Sequence, residues 1–192
     1  MKILLVLGSV VVVSLLVFFM KVGASENVAP LSNLSDREWV MIQTLPELFL
    51  QMGPVETARV KRVIDGDTVE LENGEKVRYL GMDTPETEHP DKPIECFGKE
   101  ASEVNRVLVE GEMVKLKSSG NDRDGYGRLL RYVWVPYEID GTKRDVFVNG
   151  HLVWEGLARV PAYTKGQDLY ESLALMETIA QEREIGLWRE CE

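Results

Sequence analysis

The spacing of apolar residues divides the 192-residue chain into three parts. Residues 3–20 form an unbroken uncharged run, and the stretch 25–56 contains one run of apolar residues at helical intervals. From residue 57 onward, short alternating runs typical of strands begin. The pattern predicts a hydrophobic N-terminal helix, a spacer over 25–56 with a short helix, and a folded domain over 57–192. We expect the spacer helix to pack on the domain or on a membrane surface.

The folded domain has the strand order of a small barrel. Asp65-Gly66 and Asn73-Gly74 mark turns between alternating runs, and the second pair is a strong hairpin signal. The predicted strands are residues 58–64, 67–72, 75–82, 112–118 and 127–135, and the predicted helices are residues 97–111, 148–156 and 168–184. Three strands, a helix, two strands and terminal helices predict an α+β fold, a five-stranded Greek-key OB-fold barrel with three helices.

The N-terminal run favours export of the protein. Lys2 precedes it, and Val22 and Ala24 occupy the −3 and −1 positions of a small-residue cleavage site. Its 18 residues are also about the minimum length of a membrane-spanning helix. Residues 1–24 are therefore a signal peptide or an N-terminal membrane anchor. The protein is expected to be secreted, or held at the outer face of the cytoplasmic membrane through residues 3–20.

The balance of charge limits the classes of partner. With 32 acidic and 22 basic residues, the formal net charge is −10, which argues against binding of nucleic acid or anionic membranes through overall charge. This composition leaves carboxylates to hold a cation. Phosphate chemistry in such a protein has to come from a few well-placed basic residues.

Two cysteines, Cys96 and Cys191, lie 95 positions apart. In a cytosolic protein two lone cysteines are most often buried thiols, but behind an export signal a disulfide is favoured. Neither cysteine has the histidine or cysteine neighbours that a zinc site needs. We therefore expect a disulfide between them, with two buried thiols as the alternative.

Carboxylates collect at the ends of the predicted strands. Asp65 and Asp67 flank the first turn, and Asp83 follows the third strand. Hard cations such as Ca²⁺ bind several carboxylate and carbonyl oxygens. Asp67 and Asp83, from neighbouring strands, could supply two of them, with the main-chain carbonyl of Thr84 and water completing the shell.

Two arginines accompany these carboxylates. Arg78 lies on the third strand, Arg128 opens the fifth, and Glu86 follows the third. Arginine offers a fork of donors that fits phosphate oxygens. A cation, two arginines and a carboxylate base are the layout that phosphodiester hydrolysis needs. Each signal alone is weak, because Asp-Gly is common in plain hairpin turns and Glu86 could simply stand near the start of a helix.

Five motifs occur in a fixed order across the domain. They read VIDGDTVEL, VRYLGMDTPETEHP, FGKEAS, DRDGYGRLLRYVW and VNGHLVWEGLARV, and EIGLW follows near the end. This set closely resembles the thermonuclease family, the secreted calcium-dependent nucleases of staphylococcal-nuclease type, over nearly all of residues 57–188. The resemblance implies an OB-type barrel with three helices, and a nuclease that cleaves DNA and RNA and leaves 3′-phosphate ends.

The resemblance also assigns roles to individual residues. In the family, the metal and both arginines bind the scissile phosphate, and the glutamate is usually assigned as the base for the attacking water. Position by position, the catalytic residues match Arg78, Glu86 and Arg128, the calcium ligands match Asp67, Asp83 and the carbonyl of Thr84, a further acid near the metal matches Asp65, and the substrate-binding residues match Tyr126, Lys92 and Tyr163.

The sequence departs from the family pattern in several places. Gly125 replaces a lysine of the nucleotide-binding turn, the expected aromatic pair after GLARV is reduced to Tyr163, and YEIDGTKRD lengthens the hairpin before the second helix. The domain over 57–192 carries 27 acidic and 19 basic residues, whereas well-known relatives are basic. We therefore expect weaker and more salt-sensitive binding to long nucleic acid.

The expectation is a monomeric, exported, Ca²⁺-dependent nuclease with single-stranded or frayed DNA, and RNA, as its partners. The alternative is a catalytically silent OB-fold module that binds nucleic acid or another partner, and fold alone cannot separate the two. The charged set favours the enzyme, because a silent module does not need Arg78, Glu86 and Arg128 together. His89 and His151 are interpreted as a loop and a helix residue, not as metal ligands.

Overall fold

The structure, a computed structural model, describes residues 42, 44–87, 94–139 and 142–191. Strands and helices follow the predicted order within them. The strands are β1 (Glu56–Asp65), β2 (Thr68–Leu71), β3 (Lys76–Tyr79), β4 (Met113–Lys117), β5 (Leu129–Ile139) and β6 (Thr142–Phe147). The helices are α1 (Leu45–Gln51), α2 (Gly98–Val109), α3 (Val148–Trp154), α4 (Tyr170–Glu182) and α5 (Leu187–Glu190), and Ala162–Thr164 forms a 3₁₀ turn.

Five of the strands close into a barrel. Antiparallel neighbours follow the order β3–β2–β1–β4–β5, and β3 then pairs with β5 in parallel. Arg78 on β3 lies opposite Thr68 on β2 and Leu130 on β5. Closure therefore brings the turn before β2, strand β3 and the residues that enter β5 to the same part of the barrel. The predicted α+β fold with a five-stranded OB-type barrel is confirmed.

A sixth strand, β6, extends the sheet beyond the barrel. It forms a hairpin with the second half of β5, from Trp134 opposite Phe147 to Ile139 opposite Thr142. The sequence predicted only a longer hairpin here. Three consecutive charged residues, Lys143 to Asp145, interrupt the alternation by which a strand is recognised.

Two buried asparagines fix the main chain around β3. Asn149 of α3 accepts a hydrogen bond from the N–H of Val133 and donates one to the carbonyl of Leu80, both at 2.9 Å. Asn105 of α2 donates to the carbonyl of Asp65 at 3.2 Å. Both asparagines are fully buried, and buried polar groups that are satisfied in this way hold one local geometry. The loops before β2 and after β3 are thus tied to helices of the core.

Helix α1 packs on the domain. The ring of Phe49 stacks on Trp134 with ring centroids 6.4 Å apart, and it meets Tyr132 edge-on at 5.7 Å. Lys117 of β4 donates to the carbonyl of Phe49 and lies 4.5 Å from the centre of its ring. Part of the stretch interpreted as a spacer is therefore in contact with the barrel, and β1 begins at Glu56, one residue before the predicted domain start.

Cys96 and Cys191 form a disulfide. It joins the turn before α2 to the residue that follows α5, at the end of the described chain. The hydrophobic N-terminal helix predicted over residues 1–24 lies outside the described residues. None of the described helices combines the length and the apolar character needed to cross a membrane.

Candidate active site

A cavity of about 290 Å³ opens beside β3. Its lining is almost entirely charged or polar. The lining residues are Asp65, Asp67, Arg78, Asp83, Thr84, Pro85, Glu86, Glu95 and Arg128. Every residue predicted to be catalytic, to bind the metal or to stand near it is in this set, although together they span 64 positions of the sequence.

Asp67 lines the cavity and is 1% exposed. One carboxylate oxygen, Oδ2, accepts from the N–H of Thr84 at 2.9 Å and from its hydroxyl at 3.1 Å. The other, Oδ1, accepts from the hydroxyl of Thr68 at 3.1 Å. Gly66 allows this contact, because a Cβ there would lie 2.6 Å from Oγ1 of Thr84. The Asp-Gly pair is therefore more than a turn signal: it lets the segment after β3 pack against the start of β2.

Arg78 bridges the two predicted metal-binding carboxylates. One terminal nitrogen of its guanidinium pairs with Asp67 and the other with Asp83, and 17% of the side chain is exposed. Among the described residues, no three carboxylate, histidine or cysteine side chains converge in a ready-made metal cage. Arg78 occupies one oxygen of each of the two carboxylates.

The lining of the cavity carries an excess of negative charge. Five carboxylates face two guanidinium groups. Burial raises the pKa of Asp65, Arg78 opposes that shift, and the nearby charge of Glu86 adds to it. A carboxylate oxygen of Asp65 also accepts from the N–H of Asp67 at 3.0 Å. This oxygen-rich, anionic donor set fits a hard cation such as Ca²⁺.

Arg128 is oriented by Asp124, a residue that the sequence analysis did not single out. Nε of Arg128 donates to Oδ2 of Asp124 at 2.6 Å. The other oxygen, Oδ1, accepts from the N–H groups of Tyr126 and Arg128 at 2.9 and 3.0 Å. Nη1 of Arg128 lies 3.4 Å from the hydroxyl of Thr68. Asp124 thus holds one edge of the guanidinium, and its signal in the sequence is an aspartate placed to cap the turn that precedes Gly127.

The segment that carries Asp83 and Glu86 is held on both sides by main-chain contacts. Asp83 and Arg159 exchange two backbone hydrogen bonds of 2.9 and 2.8 Å. At the start of α2, a Cβ on Gly98 would lie 2.9 Å from the carbonyl oxygen of Glu86, so that only glycine fits against it. Oε1 of Glu86 accepts from the N–H of Thr87 at 3.1 Å. Glu95, which also lines the cavity, was not predicted as a site residue.

Residues 76–190 match the family model described as staphylococcal nuclease homologue. The chain belongs to this family. It is 35% identical to the thermonuclease of Staphylococcus intermedius over 136 residues, which cover 69% of this chain and 76% of that protein. It is also 39% identical over 132 residues to endonuclease YncB of Bacillus subtilis, covering 66% of this chain and 59% of the relative. The predicted thermonuclease-like family is thus confirmed.

The tyrosines predicted to bind substrate lie outside the cavity lining of this family member. Tyr126 is 89% exposed, and its ring centre lies 5.5 Å from the guanidinium carbon of Arg128. Tyr163 is 78% exposed. Lys92 and His89 lie outside the described residues. His151 is buried in α3 away from the cavity, and burial lowers its pKa to about 4.

Proposed function

We propose that this protein is an exported, Ca²⁺-dependent nuclease that hydrolyses phosphodiester bonds of DNA and RNA and leaves 3′-phosphate ends. Nuclease activity follows from its family, whose similar members include thermonucleases and endonucleases, and the substrate is accordingly nucleic acid. The observation that carries the proposal is the convergence of Arg78, Glu86 and Arg128 on one cavity with four further carboxylates.

Arg78 and Arg128 supply the phosphate contacts. Arg128 uses Nε for Asp124 and one N–H of Nη1 for the hydroxyl of Thr68, and further N–H groups of its terminal nitrogens remain for phosphate oxygens. Arg78 must release at least one of its two carboxylates before its fork can face a phosphate. Guanidinium groups fixed in advance stabilise the charge that develops on the phosphorus oxygens, and each such contact is worth roughly 10²–10³-fold in rate.

Asp67, Asp83 and the carbonyl of Thr84 would hold the calcium ion, with Asp65 behind them. When bound, the ion supplies neutralisation of the phosphate charge and polarisation of the P–O bonds. Asp67 is well suited to this role, because Thr68 and Thr84 already fix its carboxylate from the protein side. Release of the carboxylates by Arg78 therefore serves both the cation and the phosphate.

Glu86 is the proposed acceptor of the proton from the attacking water. A base needs to reach that water at hydrogen-bond distance, and so its position matters before its proton affinity does. Main-chain contacts hold the segment of Glu86 against the start of α2 and beside the strand-like pair of Asp83 and Arg159. The carboxylate of Glu86 thereby faces the same cavity as both arginines.

The test is a nuclease assay on the full chain. The chain is expressed with its N-terminal segment and purified from the medium or from the membrane, wherever the protein is recovered. We expect acid-soluble nucleotides to be released with Ca²⁺ and release to stop with EGTA. The new 5′ ends should accept label from polynucleotide kinase without prior phosphatase treatment. Cleavage that persists in EGTA, or products with 5′-phosphates, would contradict the proposal.

Recovery from the medium or the membrane, with the mass of the mature chain, tests export and cleavage after residue 24.

A further inference from the structure

Glu95 makes two contacts with the backbone of Glu86. Its carboxylate oxygen Oε2 accepts from the N–H of Glu86 at 3.1 Å, and its own N–H donates to the carbonyl of Glu86 at 3.0 Å. The side chain also lines the cavity. A single residue thus satisfies both main-chain polar groups of the proposed base, although it lies nine positions further along the chain.

Glu95 is itself fixed to the core from the other direction. The carbonyl of Glu95 accepts from the N–H of Gly98 at 3.0 Å, where α2 begins. The next residue, Cys96, is bonded to Cys191. Cys191 in turn donates its N–H to the carbonyl of Leu187, which is 1% exposed. A continuous series of bonds therefore leads from the buried start of α5 through the disulfide to Glu95 and on to Glu86.

We propose that Glu95 is a positioning residue for the hydrolysis reaction, and that the Cys96–Cys191 disulfide holds it in place. Glu95 does not touch the reacting atoms; it sets where the backbone of Glu86 lies, and hence where its carboxylate stands relative to Arg78 and Arg128. The inference rests on the proposed role of Glu86. A displacement of about 1 Å at a reacting group can cost on the order of 10²-fold in rate. Loss of the contact between Glu95 and the backbone of Glu86 should therefore have a measurable effect.

The alternative is that Glu95 is an exposed turn residue whose hydrogen bonds are exchanged with water at little cost. The two interpretations differ in what they predict for variants. A positioning contact requires an acceptor oxygen, which glutamine retains and alanine lacks. An exposed turn residue tolerates both changes, in the same way as Glu100, which is exposed on the first turn of α2.

The experiment compares Glu95→Ala, Glu95→Gln, Glu86→Ala and the control Glu100→Ala in the full chain. Hydrolysis of a single-stranded oligonucleotide is followed with the cation that gives the highest wild-type rate. We expect Glu95→Ala to lower kcat about 10- to 100-fold with KM within about threefold of the wild type. Glu95→Gln should recover most of that loss.

The outcomes test the role of Glu95 and the role of Glu86 separately. Wild-type kcat in Glu95→Ala together with an inactive Glu86→Ala overturns the positioning role, and so does an equal loss in the Ala and Gln variants. An active Glu86→Ala overturns instead the role proposed for Glu86.

The disulfide is tested with a Cys96→Ser and Cys191→Ser variant, combined with Glu95→Ala. If the combined loss of kcat is smaller than the product of the separate losses, the disulfide acts through Glu95. Fully independent losses would show that the disulfide does not hold Glu95 in place.

Discussion

Arg78 in the cavity and Lys117 beneath α1 are both largely enclosed cations, but their partners differ in kind. Arg78 pairs with two carboxylates in a cavity where negative groups outnumber positive ones. Lys117 is 6% exposed, and its contacts are the carbonyl and the ring face of Phe49. Burial lowers the pKa of Lys117, and the nearby Asp168 partly offsets that shift.

Under the proposed function, Arg78 exchanges its partners when substrate binds, whereas Lys117 has no such role. A cation then replaces Arg78 beside the carboxylates, and a phosphate replaces the carboxylates beside Arg78. Around Lys117, the contacts are the neutral carbonyl and the ring of Phe49, which packs in turn on Tyr132 and Trp134. Changes in the first region should therefore alter activity with little effect on stability, and changes in the second should do the opposite.

The largest effect expected is on activity, for Arg78→Lys. Lysine keeps the positive charge between Asp67 and Asp83 but lacks the fork that binds two phosphate oxygens. We expect kcat/KM to fall about 10²–10³-fold, or roughly 3–4 kcal/mol of transition-state stabilisation. The measurement is steady-state hydrolysis beside a thermal melt.

The matched control for that variant is Arg144→Lys, which changes an exposed arginine of β6. It should keep wild-type activity. If Arg78→Lys instead retains kcat/KM and lowers the melting temperature, the pair with the carboxylates is structural and the comparison with Lys117 breaks down.

Phe49→Ala should have the largest effect on stability. The variant removes a ring that packs on Tyr132 and Trp134 and lies against Lys117. Loss of a packed aromatic side chain costs about 3 kcal/mol at a partly buried position, and the melting temperature should fall by roughly 6–12 °C. Activity per folded molecule should not change.

Leu48→Ala is the control on the same helix, because Leu48 is among the exposed large hydrophobic residues. Its free energy of unfolding should stay within about 0.5 kcal/mol of the wild type. Equal destabilisation by both variants would mean that α1 contributes through helix formation and not through the Phe49 contact.

These two regions also differ in how far the sequence predicted them. The cavity residues that were predicted lie in motifs such as VRYLGMDTPE, and the family resemblance assigned their roles position by position. Alternation and the Asn73-Gly74 turn likewise predicted the strands of the barrel. The contact between Phe49 and Lys117 joins residues 68 positions apart, and no local pattern encodes such a pairing.

Within the cavity, the sequence predicted residue types better than their partners. That Arg78 bridges Asp67 and Asp83 depends on the pairing of β2 with β3, which brings Thr68 opposite Arg78. Asp124 and Glu95 were not predicted because the sequence does not show which group a carboxylate in a loop contacts: Arg128 for Asp124 and the backbone of Glu86 for Glu95.

Asp124→Asn tests whether orientation of an arginine, and not only its charge, matters in the cavity. Asparagine can keep its oxygen on the N–H groups of Tyr126 and Arg128, but its amide cannot accept from Nε of Arg128. Loss of one charge-assisted hydrogen bond is worth about 1.5–3 kcal/mol, and we expect activity to fall roughly 10- to 100-fold.

Stability should change less than activity in Asp124→Asn, because the turn keeps its caps. Comparison with Asp124→Ala, measured by kcat and by urea unfolding, separates the two functions of the carboxylate: alanine should lose activity and turn stability together. Wild-type kcat in the asparagine variant would show that Arg128 needs no support from Asp124.

The smallest effect concerns two groups, His151 and Glu155, whose pKa values are shifted in opposite directions by burial. Burial lowers the pKa of His151 in α3 to about 4, from 6.5, and raises the pKa of Glu155, directly after α3, to about 7, from 4.5. Between pH 4.5 and 6.5 the unfolded chain binds the proton on the histidine, whereas the folded chain binds it on the glutamate. As the pH rises, the histidine therefore increases the free energy of unfolding and the glutamate decreases it. Their contributions to the pH dependence of that free energy cancel.

Glu155→Gln removes one of the two opposing contributions and leaves the other. Relative to the wild type, its free energy of unfolding should rise by about 1.4 kcal/mol between pH 5 and pH 6, and urea unfolding at these two pH values measures the difference. Parallel slopes for variant and wild type would mean that Glu155 is ionised in the folded state over this range. Burial would then be insufficient to neutralise a carboxylate outside the cavity.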